Sequence, residues 1–282
     1  MRTTLKNALG QVRKPDNPIN VYNAFDIVGD IVVLKLPHPI TSNAKVVAET
    51  LMSIHRNVQA VFAQESSVKG EYRLRKLICI GGENRTHTQH KEAGCIFSVD
   101  LASCYFSPRL QGERQRIARL IQPNEVVVNM FAGVGCFSIL IAKQMPSATV
   151  YSLDINPQAF TFMQKNIQLN NVHRQVTPML GDAKPLIENY LQGCADRVLM
   201  PLPEKALEYL PVAVSALKPS GGWLHVHLFE HASKTDDPIE QAKQRVAERL
   251  NELSVVAHFS YARVVRHTGP NWHQIVLDLH IT

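Results

Sequence analysis

Several things this chain lacks narrow its reading before any motif is considered. No run of apolar residues reaches the ~18 needed to span a bilayer, although hydrophobic residues make up 45% of the 282 positions. The N-terminal stretch MRTTLKNALGQVRKPDN carries cations but no apolar core of signal-peptide length. A cytoplasmic protein without a membrane partner is the expectation. Its five cysteines (Cys79, Cys95, Cys104, Cys136, Cys194) stand singly, with no C-x-x-C pair and an odd count. That pattern suggests neither a zinc knuckle nor a disulfide framework, and buried thiols are the simpler reading. Internal repeats and low-complexity tracts are also missing.

What is present is an ordinary globular composition with a mild basic excess. Lysine and arginine number 30 against 24 acidic residues, a net charge of +6. This permits a polyanionic partner without requiring one. The length suits one large domain or two modest ones.

The organisation reads in three parts: a polar leader over 1–20, a small α+β unit over 21–105 and a larger domain over 106–282. Phe25–Pro37 predicts two short strands hinged at Gly29. Asn43–His55 carries Val46, Val47, Leu51 and Ile54 at helical spacing, with Ser42 or Asn43 as the cap. Strand-like runs follow at Val58–Ala63, Tyr72–Ile80 and Cys95–Val99.

From Asn124 the rhythm changes. Val126–Met130 is a continuous apolar run, as in a strand buried on both faces of a parallel sheet. Helices at Phe137–Gln144, Pro157–Asn170, Leu186–Leu191, Glu204–Leu217 and Pro238–Leu250 alternate with strands at Thr149–Leu153, Val176–Leu180, Arg197–Met200 and Trp223–Leu228. This predicts an α/β fold, a doubly wound and mostly parallel sheet. Val255–Val265 and His273–Ile281, joined by a short Gly-Pro-bearing link, predict an antiparallel hairpin at the sheet edge.

The first βα loop, Phe131-Ala-Gly-Val-Gly-Cys136, lets backbone amides approach a ligand at a helix N-terminus. A dinucleotide fingerprint would place a third glycine where Ser138 stands, which weakens a nicotinamide reading. Asp154 ends the second strand, at a distance suited to ribose hydroxyls, and Asp182 ends the third, where it could meet an adenine edge. A helix N-cap is the competing role for either aspartate.

Val128–Phe137, with Asp154 and Gly181-Asp182, resembles the nucleotide half of class I S-adenosylmethionine-dependent methyltransferases. The resemblance implies S-adenosylmethionine as cofactor, held by Asn129, Phe131, Gly133, Gly135, Asp154, Ile155, Asp182 and Ala183. The family usually has Asp where Asn129 stands, so one charge beside the cofactor's amino group is missing here.

Tyr105-Phe-Ser-Pro-Arg-Leu-Gln-Gly-Glu-Arg114, with Gly70-Glu-Tyr-Arg73 and Gly82-Glu-Asn-Arg-Thr86, is similar to the archaeal and eukaryotic-type tRNA (guanine-37-N1)-methyltransferases over nearly all of 22–282. The separate N-terminal module of many members is not seen. The resemblance implies tRNA as partner, a monomer, Glu113 as general base and Arg73 stabilising charge on guanine O6, with Tyr105 packing near the base. Arg109, Arg114, Pro201 and Pro203 are the matching substrate-binding positions. From spacing alone, Arg109 and Glu113 would make a surface ion pair, and Arg114, Arg116 and Arg119 either track phosphates or solvate a helix face. Pro201 stands where members commonly have an asparagine that reads the base.

His87 and His90 invite a metal, but no Cys or carboxylate completes a site; exposed or phosphate-facing histidines are the expectation. His225 and His227 share one strand face, with core or edge placement. Alternatives remain: a wyosine-pathway tRNA enzyme (aminocarboxypropyl transfer, or C7 methylation of the tricyclic intermediate), a silent tRNA-binding module, or a small-molecule methyltransferase.

Overall fold

The computed structural model describes residues 25–36, 43–66, 68, 70–233 and 235–282. The chain divides into two compact units, Met1–Pro108 and Arg109–Thr282. The leader, Pro37 and the proposed Ser42 cap lie outside the described residues.

In the first unit, β1 (Phe25–Val28) turns at Gly29 into β2 (Ile31–Lys35). Helix α1 (Ala44–Ile54) crosses over to β3 (Ala60–Gln64), followed by β4 (Leu77–Gly82), β5 (His87–Glu92) and β6 (Cys95–Asp100). One sheet has the order β1-β2-β3-β4, with only β2 and β3 parallel, as a helical crossover requires; β5 and β6 form a separate hairpin. The stripe Val47, Ala48 and Leu51 of α1 is buried against Val32, Leu34, Val61 and Ala63. Asn43 precedes the helix but makes no side-chain cap, so that expected cap is absent.

Two strand expectations change. Strand β4 starts at Leu77 instead of Tyr72, because residues 70–73 are turn and Arg73 takes a left-handed φ of 55°. Strand β5 has no apolar signal at all: its inward positions are Thr88, His90 and Glu92, so hydrophobic alternation could not announce it. Gly29 is needed where this hairpin comes close. Its φ is 59°, and a Cβ there would stand 2.2 Å from Thr88 Oγ1.

The second unit opens with α2 (Gln111–Leu120). The alternation that follows is β7 (Val126–Asn129), α3 (Cys136–Gln144), β8 (Thr149–Asp154), α4 (Pro157–Leu169), β9 (Val176–Leu180) and α5 (Ala183–Leu186), the last continued by a π turn over Ile187–Leu191. Then come β10 (Arg197–Met200), α6 (Ala206–Ala216), β11 (Gly222–His231), α7 (Pro238–Glu252), β12 (Ala257–Gly269) and β13 (Trp272–Ile281). The sheet order is β12-β13-β11-β10-β7-β8-β9. Strands β7 to β11 are mutually parallel where they pair, and β13 is antiparallel to both β11 and β12. This is the expected doubly wound sheet with an antiparallel C-terminal hairpin.

The chain winds outward from β7 through β8 and β9, then returns to place β10 on the other side of β7. That reversal puts the ligand crevice of an open α/β sheet beyond the carboxyl ends of β7 and β10. A core of Val128, Met130, Leu153, Val198, Met200, Leu224, Val226 and Leu277 holds the strands that present it. Among the described residues no helix is long and apolar enough to cross a membrane, and no group of three metal-ligating side chains is found.

Candidate active site

Beyond the end of β7 the glycine loop is held tightly. Ala132 N donates to Leu153 O at 2.8 Å, and Gly135, at φ 91°, caps α3. Asp154 receives two backbone donors, Gly133 N at 2.6 Å and Asn156 N at 2.9 Å. The cap of α4 is Asn156, so Asp154 is not a helix cap. Burial pushes the Asp154 carboxyl up, and the two amide donors only partly counter it.

Asp182, by contrast, does take the capping role: it accepts from Lys184 N at 2.7 Å ahead of α5. Its other oxygen accepts from the Tyr209 hydroxyl at 2.8 Å, and the Tyr209 ring meets Phe131 edge-on at 5.3 Å. Tyr209 therefore links two expected cofactor residues, and a helix-periodic run gave no hint of it. Ile155 borders the same strand end, and Ala183 is the buried first residue of α5.

Asn129 is fully buried and donates to Ser138 Oγ at 3.0 Å, while its Oδ1 has no hydrogen-bond partner. An unsatisfied buried acceptor beside a glycine loop fits a ligand that brings a donor, such as an amino group. The residues present thus fit S-adenosylmethionine, which carries an amino group and ribose hydroxyls. Asn129→Asp is expected to tighten cofactor binding about tenfold, the worth of one charge-assisted bond. Calorimetry checks this; unchanged or weaker binding places the amino group elsewhere.

Arg73 and Tyr105 come together in the first unit, the guanidinium lying 4.2 Å from the ring centroid. The left-handed backbone of Arg73 is unusual for a residue with a side chain, and such positions cluster at functional sites. In the Gly82–Thr86 stretch, Arg85 has structural duties: it grips both oxygens of Asp30 and donates to His87 O at 2.9 Å. His90 is not exposed, which corrects that expectation; its Nδ1 accepts from Gly29 N and its ring meets Phe106 at 5.2 Å. His87 is exposed and bonded to Ser98 Oγ at 2.8 Å.

Glu113 lies on the first turn of α2 with its side chain fully buried, so a surface pair with Arg109 is not its role. Arg116, one helical turn on, reaches it through Nη2 at 2.7 Å and Nε at 3.1 and 3.2 Å. Arg263, from β12, donates Nη2 to Oε2. Burial alone would raise the Glu113 pKa, but the Arg116 and Arg263 guanidiniums hold it below the ordinary range. Arg114 is buried at 3% exposure, which fits neither of the two roles left open for it, tracking phosphates or solvating a helix face; Arg109 and Arg119 are exposed. Pro201 follows β10, half-buried, and Pro203 begins a short 3-10 turn.

Behind Glu113 runs a polar chain that sequence reading missed. Arg116 also binds Asp278 through Nη1 and Nη2. Asp278 accepts from His225 Nδ1 at 2.6 Å, His225 Nε2 faces Arg197 Nη1 at 2.6 Å, and Arg197 pairs with Glu125 at 2.9 Å. His225 and Asp278 are directly opposed on β11 and β13. The one available signal was polar residues at inward positions of otherwise apolar strands.

His227, on the same face, is buried and neutral, its pKa pushed down to about 4 mainly by desolvation. The unfolded chain binds its proton near pH 6.5 while the native state refuses it until about 4, so stability is full above pH 6.5 and falls below it. This contribution is on the order of 3 kcal/mol. Denaturant unfolding of His227→Asn across that window is expected to give a flatter curve than the native protein. An unaltered slope would contradict a buried neutral imidazole.

Comparison with known proteins gives the family. A family model described as the TRM5/TYW2 methyltransferase domain matches residues 88–256, and one described as the TYW2 N-terminal domain matches residues 5–86. The chain belongs to the TRM5/TYW2 methyltransferase family. It is 39% identical over 259 residues to tRNA (guanine(37)-N(1))-methyltransferase Trm5b of Pyrococcus abyssi, covering 92% of this chain and 75% of that protein. The crystal structure of that Trm5b aligns with a TM-score of 0.80. It is 31% identical to tRNA 4-demethylwyosine(37)-methyltransferase Taw21 of Saccharolobus solfataricus, covering 95% and 97% of the two chains. A structure of Methanocaldococcus jannaschii TYW2 in complex with AdoMet aligns at 26% identity and a TM-score of 0.68, covering 92% of this chain and 99% of that one. The family's donor is S-adenosylmethionine.

Proposed function

We propose that this protein methylates N1 of the guanine at position 37 of tRNA. The observation that carries the reading is Glu113: a buried, ionised carboxylate at the end of the Tyr105–Arg114 segment. Guanine N1 keeps a proton and is a poor nucleophile until it leaves, so the reaction needs a base. Glu113 accepts that proton. Arg73, braced on Tyr105, meets the negative charge that builds on O6, a contact stronger in the transition state than in the ground state. When bound, S-adenosylmethionine supplies an electrophilic methyl group. Arg109 and Arg119 face tRNA phosphates, while Pro201 and Pro203 border the base, Pro201 offering only its carbonyl.

A second reading is methylation at C7 of the tricyclic wyosine intermediate. It is favoured by the match of residues 5–86 to the TYW2 N-terminal domain and by the nearly full-length similarity to Taw21. Treating an unmodified transcript with the protein and cofactor, digesting to nucleosides and weighing them separates the possibilities. 1-Methylguanosine is the expected product. No product on guanine with methylation of 4-demethylwyosine-containing tRNA would favour the second reading, and an aminocarboxypropyl adduct would contradict both.

A further inference from the structure

The two guanidiniums on Glu113 are held very differently. Arg116 is anchored on both sides: it spans the two oxygens of Glu113 and the two of Asp278, and its guanidinium lies 4.5 Å from the Tyr261 ring centroid. Its side chain is 19% exposed. Arg263 makes one contact to Glu113, through Nη2; its Nε is buried without a partner, and its side chain is 37% exposed. A long side chain with a single tether, an unsatisfied donor and access to solvent is the one that can leave.

We propose that Arg263 is a displaceable cap on Glu113, holding the carboxylate ionised and oriented in the resting enzyme and swinging away when the acceptor base enters. The proposal rests on the general-base reading above. Glu113 Oε2, the oxygen Arg263 covers, is then the proton acceptor: the N1–H bond breaks, its electron pair stays on N1, and the proton ends on Oε2. Arg116 stays in place throughout because Asp278 holds its far side. Neutralising Glu113 while Arg263 remained would strand a buried donor against a carboxylic acid, so the exchange must precede or accompany proton transfer. Arg263 is thus a positioning residue, and the groups facing Glu113 are Arg116 of α2, Arg263 of β12 and His227 of β11, with Asp278 of β13 behind Arg116.

The test is the pH profile of kcat/KM on a position-37 guanine transcript from about pH 4 to 8, with folding followed by cofactor binding at each pH. Removing one of two adjacent cations raises a carboxylate's pKa by about one unit or more. Arg263→Gln is therefore expected to move the acid-side limb up by about one pH unit, with a plateau loss of less than about tenfold, and Arg263→Lys to restore the limb. A limb at the native position, or a larger plateau loss that Arg263→Lys fails to restore, overturns the cap. Glu113→Gln separates this from the general-base reading. If Glu113→Gln is inactive while the Arg263→Gln limb is unmoved, only the cap is wrong; if Glu113→Gln is fully active, the base assignment itself is wrong.

Discussion

Glu113→Gln is expected to lower kcat by about 10²–10⁴-fold, the range that a positioned proton acceptor supplies. The substitution keeps shape and hydrogen-bonding capacity while removing the charge. Cofactor affinity should change little, because Asn129 and Asp154 lie in the glycine-loop region of the sheet and neither contacts Glu113. A merely structural Glu113 would behave differently. If Glu113 only held Arg116 and Arg263 in place, its loss would lower stability and cofactor binding together, with methyl transfer falling no further than the cofactor-bound fraction. Single-turnover methyl transfer and calorimetry on the same preparation therefore distinguish a base from a brace. Loss of both signals would count against the base.

Breaking the polar chain behind Glu113 should cost more in stability than any surface change. Asp278→Ala leaves Arg116 and His225 without their shared acceptor in a buried site, and removing one partner of a buried pair costs about 3–5 kcal/mol. Asp278 is the shared member of the chain, taking Arg116 on one side and His225 on the other, so its deletion uncovers a charge. Both Asp278 and Glu113 are held below the ordinary carboxylate range: burial opposes this for each, but hydrogen bonds from His225 and Arg116, and from Arg116, overcome it. Groups with depressed native pKa values stabilise the fold above their unfolded values and lose that contribution as pH falls through the native ones. Acid unfolding should thus steepen below about pH 4, separately from the His227 effect at higher pH. Urea unfolding of Asp278→Ala at neutral pH checks the main claim; a loss under about 1 kcal/mol would mean the chain is dispensable for folding.

How much of this was written in the sequence depends on where the information sits. Val126–Asn129 and the glycine loop were legible because a strand buried on both faces opens with an unbroken apolar run, Val126–Val128, and its loop needs glycines. The hairpin of β12 and β13 was legible from its short Gly-Pro-bearing link. Strand β5 was hidden because Thr88, His90 and Glu92 fill its inward positions. The roles of Asp154 and Asp182 could not be told apart, since capping depends on which residue the helix starts after: Asn156 caps α4 in place of Asp154, whereas Asp182 caps α5 itself. The environment of Glu113 was the least accessible. Helical spacing pointed to Arg109, whereas the decisive partners are Arg116, doubly tied to Asp278, and Arg263, 150 residues away. Such pairs follow from sheet register, which no local pattern reports.

The most direct test of the central claim offers radiolabelled S-adenosylmethionine and two unmodified tRNA transcripts, identical except for G or A at position 37. Incorporation into the guanine transcript, and its loss in the adenine one, is the predicted result. Equal incorporation into both, or none into either while the cofactor still binds, would contradict methylation of that guanine.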